Sequence, residues 1–193
     1  MAEAKGTNAR GRATKSHLEI TALRLFLREG YEETTVERIA EAADVSVRTF
    51  FHHFPNKLDV LWGDAVEEME AFAQQLRARP EPDVSSALAA AIVEYADGYE
   101  YGEADLLRFR IIHESDLYAE QTALYDGQFR QMLGRWLSER TGRDPDDFRL
   151  AAAAAVFEAL RQLVVSTWAA SGGEADVGEL ASIALATVRL DLD

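Results

Sequence analysis

Apolar residues along this chain recur at helical spacing, and no segment alternates between apolar and polar positions as a half-buried strand would. Leu18, Ala22, Leu25 and Phe26 share one face of a first helix, which Thr14 or Ser16 can cap and Gly30 can stop. Val36, Ile39, Ala40 and Ala43 predict a short second helix after Thr34 and Thr35. Asp44, Val45 and Ser46 read as a tight turn, and the stretch SVRTFFHHFPNK (46–57) supplies a third short helix ending at Phe54 and Pro55. Asn56 then caps a long fourth helix, in which Leu58, Leu61, Trp62, Ala65, Met69, Phe72 and Leu76 fall at i, i+3, i+4, i+7 spacing. Arg79-Pro80-Glu81-Pro82 breaks it. Further helical stretches follow at roughly 84–99, 104–114, 118–140, 146–170 and 177–190, punctuated by Gly102, Gly142 with Pro145, and Gly172 with Gly173. The run from Leu150 to Trp168 is apolar around most of its circumference. Such a helix must be covered on several sides, centrally in a bundle or at a subunit interface. The expected fold class is all-α.

Composition sharpens the picture through what it lacks. The 193 residues include no cysteine, which removes disulfides, thiolate metal sites and cysteine catalysis and suits a reducing compartment. No run of about 18 apolar residues and no basic-then-apolar amino terminus is found, so neither a membrane span nor a secretion signal is expected, and the expected location is the cytoplasm. The net charge of −14 argues at first against nucleic acid, whose phosphates repel an acidic surface. The charge is unevenly placed, however. Residues 1–60 carry nine Lys/Arg and nine Asp/Glu, whereas residues 61–193 carry eleven against twenty-five, which accounts for the whole −14. The first eighteen residues hold Lys5, Arg10, Arg12 and Lys15 against Glu3 alone. A neutral head with a basic tip precedes an acidic body.

Several constellations offer chemistry and fall short. Gly6 and Gly11 have the spacing of a phosphate-binding loop, but no Lys-Ser/Thr pair follows and no strand precedes. Residues 1–13 read instead as a flexible basic arm. His52 and His53 are neighbours, and adjacent residues on a helix diverge by about 100°, so they make no metal site. His113, Ser115 and Asp116 are the residue types of a hydrolytic triad, yet they stand too close in sequence to aim at one another. No metal, cofactor or catalytic residue is implied.

The head is the strongest arrangement. Two short helices joined by a three- to four-residue turn match helix-turn-helix geometry, whose second helix enters the DNA major groove. Val36, Ile39, Ala40, Val45, Phe50 and Phe54 would form its small core, leaving Val47, Arg48, Thr49, Phe51 and His53 facing outward. Arginine can fork onto guanine, threonine can reach a phosphate or a thymine methyl, and histidine can donate to phosphate. Lys57 and Thr35, each at a helix start, are placed to meet backbone phosphates.

At these residues the sequence TTVERIAEAADVSVRTFFHHFPNKLDVL, with ALRLFLREGYEETTV upstream, resembles the DNA-binding signature of TetR-family bacterial repressors over roughly residues 14–61. Leu25-Phe26, Gly30, Thr35, Ile39-Ala40, Val45-Ser46, Thr49, His53-Phe54 and Lys57 are in register with it. Two positions depart: Arg48 stands where glycine is usual, and Phe51 where a tyrosine hydroxyl usually bonds phosphate. The resemblance implies a domain at 14–56 that binds double-stranded operator DNA, and a domain at 57–193 that binds ligand and dimerises.

In that family the body encloses a small-molecule cavity. Trp62, Phe72, Tyr95, Tyr99, Phe109, Ile112, Met132, Trp136 and Phe157 could line one here, with Arg108, Arg110, His113 and Gln128 as polar groups that orient a ligand. Aromatic residues at helical spacing serve equally well as plain core. The segment from Leu106 to Leu160, with LWGD at 61–64, resembles the subgroup containing the mycofactocin-system regulator. That likeness implies an acyl-CoA-like or similar amphipathic effector, with Arg108 or Arg110 as partners for its phosphates. Phe157, Leu160, Val164, Trp168, Leu180, Ile183 and Val188 are the expected homodimer interface, which would set two recognition helices about 34 Å, or a multiple of that, apart on a pseudo-palindromic site. The reading is a ligand-responsive repressor. An all-helical enzyme, and a scaffold whose head binds protein rather than DNA, are the alternatives at this point.

Overall fold

The computed structural model describes residues 2–62, 65–81, 83–98, 101–113 and 119–188, with 2–10, 66, 113 and 119–121 as backbone alone. Among them the chain forms α1 (Ala2–Glu29), α2 (Val36–Ala42), α3 (Val47–His53), α4 (Asp59–Trp62), α5 (Ala65–Arg77), α6 (Val84–Gly98), α7 (Glu103–His113), α8 (Ala119–Thr141), α9 (Phe148–Ala170) and α10 (Val177–Ala186), and no strand. Two compact units result: Met1–Asp64 with Gly102–Asp116, and Ala65–Tyr101 with Leu117–Asp193.

In the first unit, α1 stops where Gly30 takes a φ of 93°, a left-handed conformation that costs glycine nothing. The Gly30 amide still donates to the Phe26 carbonyl at 3.0 Å, and the Thr34 hydroxyl donates to the Gly30 carbonyl at 2.6 Å. Thr35 caps α2 by accepting from the Arg38 amide, and Ser46 caps α3 by accepting from the Thr49 amide. Asp44, at φ 53°, makes the turn between them. Asn56 and Asp59 exchange reciprocal bonds across the start of α4, each side chain accepting from the other's amide at 3.1 Å. Leu18, Ala22, Leu23, Ile39, Ala40, Phe50, Phe54, Val60 and Leu61 are buried at its centre.

Two expectations change here. The helix expected to begin near Thr14 or Ser16 runs back to Ala2, through the stretch expected to be an arm. Ala2, Glu3, Ala4, Lys5, Arg10, Arg12 and Ala13 are strong helix formers, and Gly6 and Gly11 are too few to break the run. The boundary expected at 56/57 is not where the packing divides either. Both α4 and α7 belong with the head, and α7 packs along α1. Arg24 donates to Glu103 through Nε at 2.8 Å and Nη2 at 2.5 Å, while Arg108 bridges Glu19 and Asp105, the latter at 2.9 Å. The fourth helix, expected to run unbroken from Leu58 past Leu76, is described as α4 and α5, with 63–64 outside the described residues.

The second unit packs α5, α6, α8, α9 and α10 around Phe72, Leu76, Leu88, Phe129, Leu133, Trp136, Leu137, Leu150 and Phe157. Phe72 stacks on Phe129 at 6.1 Å between centroids and meets Tyr95 edge-on at 5.4 Å. Asp147 and Asp176 cap α9 and α10. By length and composition α9 could cross a membrane. Here it packs against both α8 and α10, as an all-round apolar helix in a bundle must.

Phe50 is fully buried, so Phe50→Ala should cost the first unit about 3–5 kcal/mol. Urea denaturation followed by far-UV circular dichroism reads this directly; a loss below about 1 kcal/mol would mean that the ring does not hold the unit together.

Candidate nucleic-acid interface

One face of α3 is anchored and the other is offered to solvent. Phe50 and Phe54, one turn apart with ring centroids 5.6 Å from each other, are buried. Their neighbours Arg48, Phe51 and His52 are exposed, and Val47, Thr49 and His53 are half-buried at its margins. Phe51 is 49% exposed although its ring meets Phe50 edge-on at 5.5 Å. Of the seven expected DNA residues, Arg48 and Phe51 therefore share one exposed ridge, which His52 completes, while Val47, Thr49 and His53 lie at its margins. The Thr49 hydroxyl is within 2.8 Å of Ser46 Oγ, and the Thr35 oxygen accepts the cap bond of α2. Each threonine hydroxyl hydrogen can still turn outward to a phosphate.

Lys57 behaves differently from the expectation. Its ammonium donates to the carbonyls of Tyr31 and Thr34, at 2.6 and 3.0 Å, and lies 4.0 Å from the centroid of the Tyr31 ring. The loop after α1 leaves carbonyls without helical partners, and this cation satisfies them. Lys57 is therefore a clamp between that loop and the start of α4. The sequence shows only a lysine at a helix start, and the carbonyls that take it up come from residues 23 and 26 positions away.

The expected ligand residues divide between the units. Trp62, Arg108, Phe109 and Ile112 belong to the first. Phe72, Tyr95, Gln128, Met132, Trp136 and Phe157 belong to the second, where Gln128 is exposed and the apolar ones are core. Tyr99 and the side chain of His113 lie outside the described residues. Arg108, expected on an effector phosphate, pairs here with Glu19 and Asp105.

The expected dimer residues divide as well. Phe157, Val164 and Trp168 are buried within the single chain, because α9 turns that side toward α8 and α10, so they are not interface residues. Ile183 is 56% exposed, and Leu160, Leu180 and Val188 are half-buried. Leu163, part of the same apolar run but not among the expected interface residues, is 58% exposed and lies one turn from Leu160 on α9.

A polar cluster in the second unit was also passed over. Arg161 donates to Glu158 through two nitrogens, at 2.7 and 3.1 Å, and to Asp126 at 2.9 Å. Gln162 donates to both carboxylates at 2.8 and 2.9 Å. The guanidinium lies over the Phe129 and Tyr125 rings. Burial, and then the neighbouring Glu158 carboxylate, push the Asp126 carboxyl up to about 6. Burial would raise Glu158 too, but the bonds and charge of Arg161 outweigh it and hold Glu158 below the usual range. Asp126 is therefore the carboxyl of the pair that takes up a proton first as pH falls toward 6. The sequence signal available was Glu158 and Arg161, an i,i+3 charge pair inside an apolar run.

The sequence profile of the bacterial regulatory proteins of the tetR family matches residues 21–61, and that of the MftR C-terminal domain matches residues 82–192. The chain belongs to the TetR family. The HTH-type transcriptional regulator TcmR of Streptomyces glaucescens is 36% identical to this TetR-family chain over 166 residues, covering 81% of it and 74% of TcmR. Among solved structures, SmeT complexed with triclosan aligns with a TM-score of 0.64 at 20% identity, covering 91% of this chain and 89% of that one. AibR in complex with isovaleryl coenzyme A and operator DNA aligns at 0.53 and 19%, covering 91% and 97%. These two share the TetR fold. The likeness drawn from the residues of the head and from the mycofactocin-type body is therefore met in both halves, and the protein is a TetR-family transcriptional regulator.

The raised carboxyl gives the protein a pH signature. Asp126 stays protonated to about pH 6 in the folded chain but releases its proton near 3.8 when unfolded, so the folded state binds more protons in that window. Its contribution to stability therefore falls as pH rises from about 4 to 6 and stays low above. Asp126→Asn, which mimics the protonated form, should stabilise the protein at pH 7.5 by on the order of 1–3 kcal/mol and by roughly half as much at pH 5. Thermal melts at the two pH values compare them; an equal gain at both would contradict the raised carboxyl.

Proposed function

We propose that this TetR-family regulator is a ligand-responsive repressor in the cytoplasm, without enzymatic activity, that binds a pseudo-palindromic operator as a homodimer. The observation that carries the reading is the ridge of Arg48, Phe51 and His52 on α3, exposed on a helix whose opposite side is locked by Phe50 and Phe54. Arg48 supplies a forked donor for a guanine edge, and Phe51 an apolar surface for a thymine methyl or sugar. Because Phe51 replaces a hydroxyl and Arg48 a glycine, the operator of this regulator differs from those of relatives that keep the usual pair.

The dimer reading rests on Leu163 and Ile183, exposed on α9 and α10, with Leu160 and Leu180 partly exposed beside them on the same two helices. A second copy is the natural cover for such a stripe, since two-fold pairing meets like with like. Control by ligand needs a link between body and head, and the chain path offers one. It leaves the second unit after α6, contributes α7 to the first unit, and returns for α8. An effector that shifts α6 or α8 therefore pulls on α7, and through Arg24–Glu103 and Arg108–Glu19 on α1. The energetic requirement is differential affinity of the effector for the two head arrangements. The effector is a lipophilic or amphipathic small molecule, of the acyl-CoA kind on the body's likeness to the MftR C-terminal domain and on the presence of isovaleryl coenzyme A in AibR. Phe72, Tyr95, Met132, Trp136 and Phe157 are the aromatic and apolar surface against which an acyl chain would pack.

Footprinting on the DNA upstream of the regulator's own gene, with and without acyl-CoAs, tests the whole reading. Arg48→Ala should lower operator affinity by about tenfold or more while leaving the melting temperature in place. Lys57→Met should do the reverse first, destabilising the head by about 1–3 kcal/mol, because the Thr34 carbonyl loses its ammonium donor and the Tyr31 carbonyl keeps only the Thr34 amide. Unchanged gel-shift affinity for Arg48→Ala would remove α3 from the DNA. Leu163→Asp should convert the dimer to monomer in sedimentation; a dimeric variant would place the interface elsewhere.

A further inference from the structure

The carboxyl end of α3 holds a group of basic side chains that the helix-turn-helix reading does not use in full. His52 and His53 stand there with ring centroids 5.1 Å apart, edge to face. His52 is exposed and His53 half-buried. From α1, the Lys15 ammonium lies 5.8 Å from the centroid of the Phe54 ring, the residue following this pair. The charges acting on His53 are those of His52 on its own helix and Lys15 on α1. On α2, the other helix packed against α3, Arg38 is engaged by Glu29 and Glu41. Partial burial, the neighbouring imidazole and the lysine together hold the His53 imidazole below its ordinary value. The unbound His53 imidazole therefore takes up a proton less readily than an ordinary one.

A DNA phosphate reverses this balance. An anion within about 4–6 Å favours the charged imidazole, typically by 1–3 pH units, and offsets the repulsion from lysine and the second histidine. On a duplex, where one negative charge recurs about every 1.7 Å of axis, a phosphate is available to any donor on the binding face.

We propose that His52 and His53, flanked by Lys15, form a proton-linked phosphate clamp, so that operator binding draws one proton from solvent and the regulator grips DNA more tightly as pH falls from 8 to 6. The proposal rests on the DNA-binding reading of the head. It extends the half-site contact onto α1, and makes occupancy of the operator follow the acidity of the compartment as well as the effector.

The test uses the full chain and a fluorescent duplex selected by the protein from a randomised pool at pH 7. Its Kd is measured by anisotropy at pH 6, 7 and 8 at one fixed ionic strength. The expected result is an affinity that falls by roughly tenfold over the range, below the limit of tenfold per pH unit for one linked proton. His53→Gln, and separately the exposed His52→Gln, should flatten the profile between pH 6 and 8 whatever their absolute affinity, the exposed site serving if the half-buried one impairs folding. Tight, salt-sensitive binding with a flat profile in the parent overturns the clamp and leaves the DNA reading intact. So does a steep profile that survives in the double variant. No binding to any selected duplex at any of the three pH values overturns the DNA reading itself, and the clamp with it.

Discussion

The orientation of α3 depends on two phenylalanine rings. Phe50 and Phe54 are one turn apart, and burying both fixes the rotation of the seven-residue helix about its axis. A helix this short has almost no stability of its own. Its geometry is borrowed from what the rings pack into and from the Ser46 cap. Once that rotation is set, Arg48, Phe51 and His52 have no choice but to face solvent. The same constraint explains why Lys57 is spent inside the protein: the loop that closes α1 brings carbonyls beside the start of α4, and an ammonium is the cheapest group to satisfy two of them at once.

The molecule separates its charges by task. The head balances cations against anions, whereas the body carries the excess negative charge. Within the head, Arg24, Arg38 and Arg108 pair with carboxylates, while Arg48 and His52 on α3 are exposed. An acidic body repels DNA and confines binding to the head. The body also buries charge. Arg161, held by Glu158 and Asp126 between α8 and α9, is an expensive way to join two helices, because burial and the nearby Glu158 carboxylate disfavour the charge on Asp126. Such a network fixes the register of α8 against α9 in a way that the surrounding leucines and alanines cannot.

In the Phe50→Ala and Asp126→Asn variants the two units can be probed apart, one through packing and the other through protonation. The difference reflects how legible each was. The head was readable almost residue by residue, since its caps, turn and core lie within some forty positions and each has a local signature: Ser46 before α3, Asn56 with Asp59, and Gly30 at a helix end. The body was readable as helices but not as faces. The periodicity of α9 is apolar on nearly every side, so nothing in it distinguishes Phe157 and Trp168, which turn inward, from Leu163, which turns outward.

What the sequence by itself determined was the set of helices, their caps, the anchored and free faces of α3, and a resemblance that the family comparisons met in both halves. These are consequences of spacing along a chain, and 3.6-residue periodicity carries them. What only the tertiary structure decided was which charges meet. Arg108 with Glu19, Lys57 with the Tyr31 and Thr34 carbonyls, and Arg161 with Asp126 are separated by 89, between 23 and 26, and 35 positions. An ion pair's worth depends on distance and burial in space, and neither is written in the order of residues.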